Sequence, residues 1–451
     1  MTDVADATTA QPGADGRPVV RLPNRELVRI SLDWLGLSSI FAGLSYIMAS
    51  RLEFAGLVDK AGAGRALFLV SISGAVIAVI VQPTIGSISD YTISRWGRRK
   101  PYIFIGSLLD LVFLIGIAYS NSLIAIAAFI ALLQFSSNFA QGPFQGYVPD
   151  LVPAAQVGTA SALVGMMQIL GVVSGYAIGA LAAAFHRYEI GLIALGVLEV
   201  VTMLSVVIRV REGPSPKSRA GRPWRSIAAE AWGTDILREH SFMWLVASRL
   251  AILMGGSVLT SLAVFYLART MGLNEHDSGI VFIPLVALVA VGTVASVVPA
   301  ARISDRVGRK RVIWASCAVS AIGLATVASA PSLPFAFAGA LLYGISAGMF
   351  LAVDWALMTD IIPKASSGRY MGLSNVATAS AGVLAIAVGG TLMDLVGGPG
   401  LDPSGPRAAL WLAVALMGIG ALLLRPVDER RREDFPAPVD PVVPASAPAT
   451  T

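Results

Sequence analysis

Five ionisable side chains interrupt stretches that are otherwise apolar: Asp33, Asp110, Glu199, Arg249 and Asp354. A charge held in hydrocarbon is costly, so such groups mark proton relays, ion pathways or substrate contacts. A neighbouring cation favours the ionised form of a carboxyl and burial opposes it, so an acid–Arg pair can switch when its surroundings open. A second chemistry lies between positions 134 and 145, where Gln134, Ser136, Ser137, Asn138, Gln141 and Gln145 line up amides and hydroxyls. Uncharged donors and acceptors of this kind suit a neutral polyol, and Trp34, Tyr46, Phe144, Tyr147, Phe350 and Trp355 could stack on a sugar face. A third feature is SDYTISRWGRRKPY, Ser89 to Tyr102, which gathers Arg95, Arg98, Arg99 and Lys100. No nucleophile–base pair or phosphate loop accompanies these groups, so an enzyme is not expected. His186, His240 and His276 are scattered and Cys317 is the one cysteine, which excludes a disulfide framework and a Cys-based metal cluster. Neither metal nor cofactor is expected.

The elements that must position these groups are membrane helices. Only 14% of the 451 residues are charged and 55% are hydrophobic, against about 25% charged in soluble proteins. Stretches long enough to cross a bilayer, about 20 residues, lie at 29–50, 66–89, 101–120, 122–147, 157–185, 189–210, 241–268, 278–301, 312–330, 334–361, 368–396 and 407–425. The expected fold is therefore all-α, with twelve transmembrane helices. The polar segment 211–240 divides them into a half at 29–210 and a half at 241–427. The ends, 1–28 and 428–451, are polar or Pro/Ala-rich and read as disordered tails; the first shows no signal-peptide core. With the N-terminus inside, 26 of the 33 Lys and Arg fall on the cytoplasmic side and six on the other. That bias predicts cytoplasmic termini. It also removes nucleic acid as a partner, because the cations are spread along one membrane face.

The two halves repeat. Gly97-Arg98-Arg99-Lys100 matches Gly308-Arg309-Lys310-Arg311 at an offset of 211, and DLVPAAQVG from Asp150 matches DIIPKASSG from Asp360 at 210. Two six-helix halves related by an axis along the membrane normal are a transporter architecture, with the substrate site between them near the midplane. At this point the chain resembles the major facilitator superfamily. Gly86, Asp90, Gly97, Arg98, Arg99 and Lys100 fit its signature of Gly-x-x-x-Asp followed by a Gly-Arg-rich turn. The second copy keeps Asp305, Arg306, Gly308, Arg309, Lys310 and Arg311, with Ala301 in place of the first Gly. The longer first copy, together with Asn138, Gln141, Gly142, Pro143, Asp150 and Leu151 after the fourth span, is similar to the glycoside–cation and sucrose–proton symporters. The chain departs from them at Gln145, where they carry Arg, and at Gln134, where they carry an acid.

The resemblance implies that helices 1, 4, 7 and 10 line a central cavity while 3, 6, 9 and 12 support it. Asn138, Gln141, Gln134, Gln145, Trp34 and Trp355 then become the substrate-binding candidates, and Asp33, Arg249 and Asp354 the coupling candidates, with Arg249 as partner of Asp33. Asp110 and Glu199, on supporting helices, are expected to be structural or shallow. Asp90, Gly97, Arg98, Arg99, Asp150, Asp305, Gly308, Arg309 and Asp360 form an expected cytoplasmic gate. In it Asp90 meets the eleventh helix near Gly368, Asp305 meets the fifth near Gly158, Arg98 or Arg99 pairs with Asp150, and Arg309 with Asp360. Such contacts are expected only with the cytoplasmic side closed. The expected function is secondary transport of a small polar solute, a di- or oligosaccharide or glycoside, by alternating access. Protons are the candidate coupling ion, and the protein is expected to act as a monomer in the inner or plasma membrane. The alternatives are a proton-coupled exporter of drugs or secondary metabolites and a transporter-like receptor that moves nothing.

Overall fold

The computed structural model of the protein describes residues 20–210, 239–361 and 367–428, together with Glu212 and Pro223. Twelve long helices follow one another: α1 Asn24–Phe54, α2 Ala63–Ser89, α3 Lys100–Tyr119, α4 Leu123–Leu151, α5 Val157–Ala184, α6 Tyr188–Arg209, α7 His240–Thr270, α8 Glu275–Val307, α9 Arg309–Ala328, α10 Leu333–Ile361, α11 Ser367–Gly397 and α12 Ser404–Leu423. All twelve are long and apolar enough to cross a membrane, and no strand occurs among the described residues. Helices are the natural outcome, since a backbone in lipid must satisfy its own N–H and C=O groups. With twelve crossings both chain ends emerge on one side, called here the terminal face, and the other side is the far face. Of the expected tails, residues 1–19 and 429–451 lie outside the described residues, as does most of the loop 211–240.

Several helices outrun the hydrophobic stretches that announce them. The first begins at Asn24, after an extended Pro23, and Glu26 pairs with Arg29 within its opening turns. At 33 residues, α8 is about 50 Å long, well beyond a core of about 30 Å. Its overhang carries Arg302 and Arg306 on the terminal face. Hydropathy reads only the part in hydrocarbon, whereas the hydrogen-bond ladder continues into the interface.

Small residues let the helices approach. In α5, Gly171, Gly175 and Gly179 recur every fourth residue and face α1, where a Cβ at Gly175 would lie 2.7 Å from the Ser39 Cα and one at Gly171 3.0 Å from the Leu35 Cα. Without a hydrophobic drive between helices in lipid, such close contact supplies the attraction. The halves meet in the same way on the far face. A Cβ at Gly64 would stand 2.9 Å from the Cα of Gly390, and one at Gly279 2.6 Å from the carbonyl of Ala180. Toward the terminal face, Gly158 and Gly165 of α5 have no described atom within 4 Å of where a Cβ would stand.

The two repeated loops take the turn their glycines allow. Gly97 has φ +115° and Gly308 φ +98°, a region that costs other residues strain. The acid of the second copy behaves otherwise than expected. Asp305 bonds Arg309 four residues on, at 2.7 Å, and its side chain is 65% exposed, so it does not reach α5. Asp90 bonds Arg99 at 2.8 Å within its own half. The side chain of Asp360 and the surroundings of Gly368 lie outside the description, and with them the expected Arg309–Asp360 pair and the Asp90 contact near Gly368.

Candidate transport site

Along α4, positions 134, 138, 141 and 145 fall on one stripe, by the spacing of three to four residues that stacks side chains on a helix. Neighbouring contacts bound it. Gly142 packs on Gly86 of α2, Gln134 on Gly74 of α2, and Phe144 on Trp34 of α1 with ring centroids 5.5 Å apart. Between these contacts Gln141 and Gln145 are half-buried and their side-chain amides have no hydrogen-bond partner among the described residues, which leaves them available to a solute. Asn138 is turned inward and donates to the Gln134 carbonyl at 2.7 Å. Of the aromatic candidates, Tyr46, Phe144, Tyr147 and Phe350 are buried and serve packing. Trp34 remains half-buried, and the side chain of Trp355 lies outside the description.

In the second half Arg249 of α7 pairs with Asp354 of α10, both buried, and reaches Thr378 of α11 at 3.2 and 3.3 Å. Thr378 is exposed, which sets a hydroxyl in front of the ion pair. The expected Asp33–Arg249 partnership does not form. Asp33 accepts from Thr202 of α6 at 3.2 Å and its other oxygen has no partner, because α6 rather than α7 packs against α1 at that level. Asp110 and Glu199 are not shallow either. Asp33 is nine residues into α1, Asp110 ten into α3 and Glu199 ten from the end of α6, so all three lie roughly 15 Å deep at 1.5 Å per residue.

A cavity of about 310 Å³ opens between the halves, walled by α5, α7, α8, α9 and α10. Its lining is almost wholly apolar, with Gln168, Thr260 and Thr293 among the few polar groups. The far-face end of this path is sealed by three links. Arg269 grips Glu53 at 2.7 and 3.1 Å, with both side chains under 5% exposed, and donates to the Lys60 carbonyl at 2.8 Å. Glu275 receives Ser50 at 3.2 Å, His186 at 2.8 Å and the Tyr188 hydroxyl. Asp394 accepts the backbone N–H groups of Gly64 and Arg65 at 3.3 and 3.0 Å. Among the described residues, hydrogen bonds and ion pairs between the halves gather at this face. None of these groups stood out in the sequence, where each is one charged residue at a helix end.

On the terminal face Arg99 is a hub. Its guanidinium bonds Asp150 at 2.6 Å, Asp90 at 2.8 Å and the Pro143 carbonyl at 2.9 Å, and Arg98 also pairs with Asp150. Gly146, where α4 breaks, leaves the room the guanidinium fills. Glu212, at the start of the central loop, accepts the Arg99 N–H at 2.9 Å and the Tyr147 hydroxyl. All these bonds are internal to the first half.

The sequence matches the Major Facilitator Superfamily over residues 30–296 and 245–448. The chain belongs to that superfamily. As such it is a multi-pass membrane transporter and not an enzyme. Among characterised members, rice (Oryza sativa subsp. japonica) sucrose transport protein SUT1 is 30% identical over 175 residues, covering 33% of this chain and 32% of that protein; the chain thus spans about a third of that relative's length. Among solved structures, a bacterial homologue of the human lysosomal transporter Spinster superposes with a TM-score of 0.69 at 16% identity, over 93% of this chain and 100% of that one. A D-xylose–proton symporter gives 0.67 at 16% identity, over 90% and 98%. At these identities the superfamily fold is what the structures share.

Proposed function

We propose that the protein moves a small polar solute, a di- or oligosaccharide or glycoside, across the cell membrane by alternating access, working as a monomer. Lysine and arginine crowd the terminal face, which supports reading that face as cytoplasmic. One observation carries the choice of solute. The half-buried amides of Gln141 and Gln145 have no hydrogen-bond partner among the described residues, they lie within the segment that resembles the sucrose symporters, and rice SUT1 is a sucrose transport protein by name. Neutral amides exchange hydrogen bonds with hydroxyls without demanding a charge. Vesicles containing the protein should take up labelled sucrose, and Gln141→Ala should slow that uptake about tenfold, the equivalent of one lost hydrogen bond of about 1.4 kcal/mol. Absence of carbohydrate uptake in the wild type refutes this reading.

A second reading rests on the apolar cavity between α5, α8 and α10. Sites so lined favour solutes with a substantial apolar part, as expected of a drug or metabolite exporter. Saturable binding of an amphipathic cation, with no effect of sucrose on it, would select that reading.

A further inference from the structure

Asp33, Asp110 and Glu199 come from α1, α3 and α6, at one depth, and each is fully buried. Helix contacts bring them together. A Cβ at Gly36 of α1 would meet Glu199 at 2.7 Å from its Cα, and one at Gly196 would meet Leu111, next to Asp110, at 3.2 Å from its Cα. Their charges act on one another. The Ser136 and Ser137 hydroxyls of α4 donate to the two oxygens of Asp110, the latter at 2.7 Å, which suits a carboxylate. Neither Glu199 oxygen nor Asp33 Oδ2 has a partner at full hydrogen-bond geometry, while the buried Ser107 hydroxyl and the Asp110 carboxyl stand close enough to Glu199 to bond it.

The other ionisable groups nearby supply no cation to this pocket. Arg29, one turn before Asp33, pairs with Glu26. Tyr147 of α4 bonds Glu212. The titratable group of α5, Tyr176, packs on Phe282 toward the far face, with centroids 5.3 Å apart. Three enclosed carboxyl groups without a countercharge approach neutrality only by taking up protons, because an unpaired buried charge costs several kcal/mol.

We propose that the pocket between α1, α3, α4 and α6 is the transporter's proton-binding site, with Glu199 carrying the exchangeable proton, Asp110 the fixed charge held by Ser136 and Ser137, and Asp33 the exit toward Tyr147 and the terminal face. Binding is a simple protonation: the carboxylate gains a proton from the aqueous side it faces and returns it to the other. The site stands apart from Gln134 on α4. It also stands apart from Arg249–Asp354, which is already paired. The link to solute movement rests on the transport reading above; the protonation itself does not.

Infrared spectra of the purified full chain test the site without any solute. The wild type should show a protonated-carboxyl band at neutral pH that shifts in deuterium oxide and fades as the medium is made alkaline. Glu199→Gln should remove part of that band, and Ser107→Ala should move the pH at which it fades. A band unchanged in Glu199→Gln, or one that never exchanges with deuterium oxide, overturns the proposal. In vesicles with an imposed pH gradient, one proton per sucrose allows about tenfold accumulation per pH unit. Glu199→Gln should reduce accumulation to about the equilibrium level, with Ser205→Ala on the same helix as the control. Wild-type accumulation in Glu199→Gln overturns the coupling role. Wild-type vesicles that take up no sucrose count against the sugar reading alone, and the infrared result then decides the proton site.

Discussion

Glu53 and Arg269 make the strongest of the far-face links, and removing one of them should tip the conformational equilibrium. The pair is buried, with three N–H···O contacts from one guanidinium to one carboxylate at 2.7, 3.1 and 3.2 Å. Truncating one partner of such a pair costs about 3–5 kcal/mol, mostly because the other charge is left buried. In Glu53→Ala, Arg269 keeps the Lys60 carbonyl, which places the cost near 3 kcal/mol. That cost applies only while the far face is closed, since opening hydrates Arg269. The equilibrium should therefore shift toward the far-face-open state by about 150-fold. Cysteine labelling reads this directly, because the native Cys317 is buried. A cysteine at Ala63, fully buried at the seam, should react with an impermeant maleimide faster in the Glu53→Ala background by a factor of that order. Removing Arg269 as well should restore much of the protection, since no orphan charge remains. Equal labelling in the parent and in Glu53→Ala would refute the assignment of this pair as a gate.

Asp354→Asn removes the carboxylate paired with the buried Arg249 and should lower the melting temperature by about 6–12 °C, taking about 3 kcal/mol and roughly 2–4 °C per kcal/mol for a half of this size. Arg249→Lys should not recover it, because an ammonium cannot span Asp354 and Thr378 as the guanidinium fork does. Gly175→Leu drives a side chain into the Ser39 backbone of α1 and should destabilise the first half by 3 kcal/mol or more, at or above the upper end of about 1–3 kcal/mol for overpacking, whereas Gly165→Leu, facing open space, should be tolerated in thermal unfolding.

Twelve spans, their division at the central loop and the repeat of Gly97 at Gly308 were legible because each is written in local composition. The inward faces were not. A soluble helix shows its buried side by polar residues on the other, but here lipid is as apolar as the core, so a span that is hydrophobic all round hides its orientation. This is why Asp33 was matched to Arg249, at the same nine-residue depth in the equivalent helix, while the structure joins Arg249 to Asp354. The far-face seal was illegible for another reason. Glu53 and Arg269 are 216 residues apart, the same separation as Asp33 and Arg249, so place in the repeat did not tell the pair that bonds from the pair that does not. Glu212 was hidden in a polar loop whose charges look alike; only its position after α6 and opposite the Gly97 turn distinguishes it. The α4 amide stripe was readable as a type of chemistry, but which members were already bonded, as Asn138 is, needed the helix contacts.

Asp394 holds the opposite half by its main chain. It accepts the N–H groups of Gly64 and Arg65, while the Arg65 side chain stands 3.8 Å away and two-thirds exposed, a separation worth little in water. Any amino acid except proline presents the same N–H. The two halves therefore drift under unequal constraint at this seam: position 65 is free to change, position 64 is limited by size because of Gly390, and position 394 must remain an acceptor. A change of side chain at position 65, proline apart, leaves this lock intact and one at position 394 breaks it, so inherited variation that alters closure through this link should fall at Asp394.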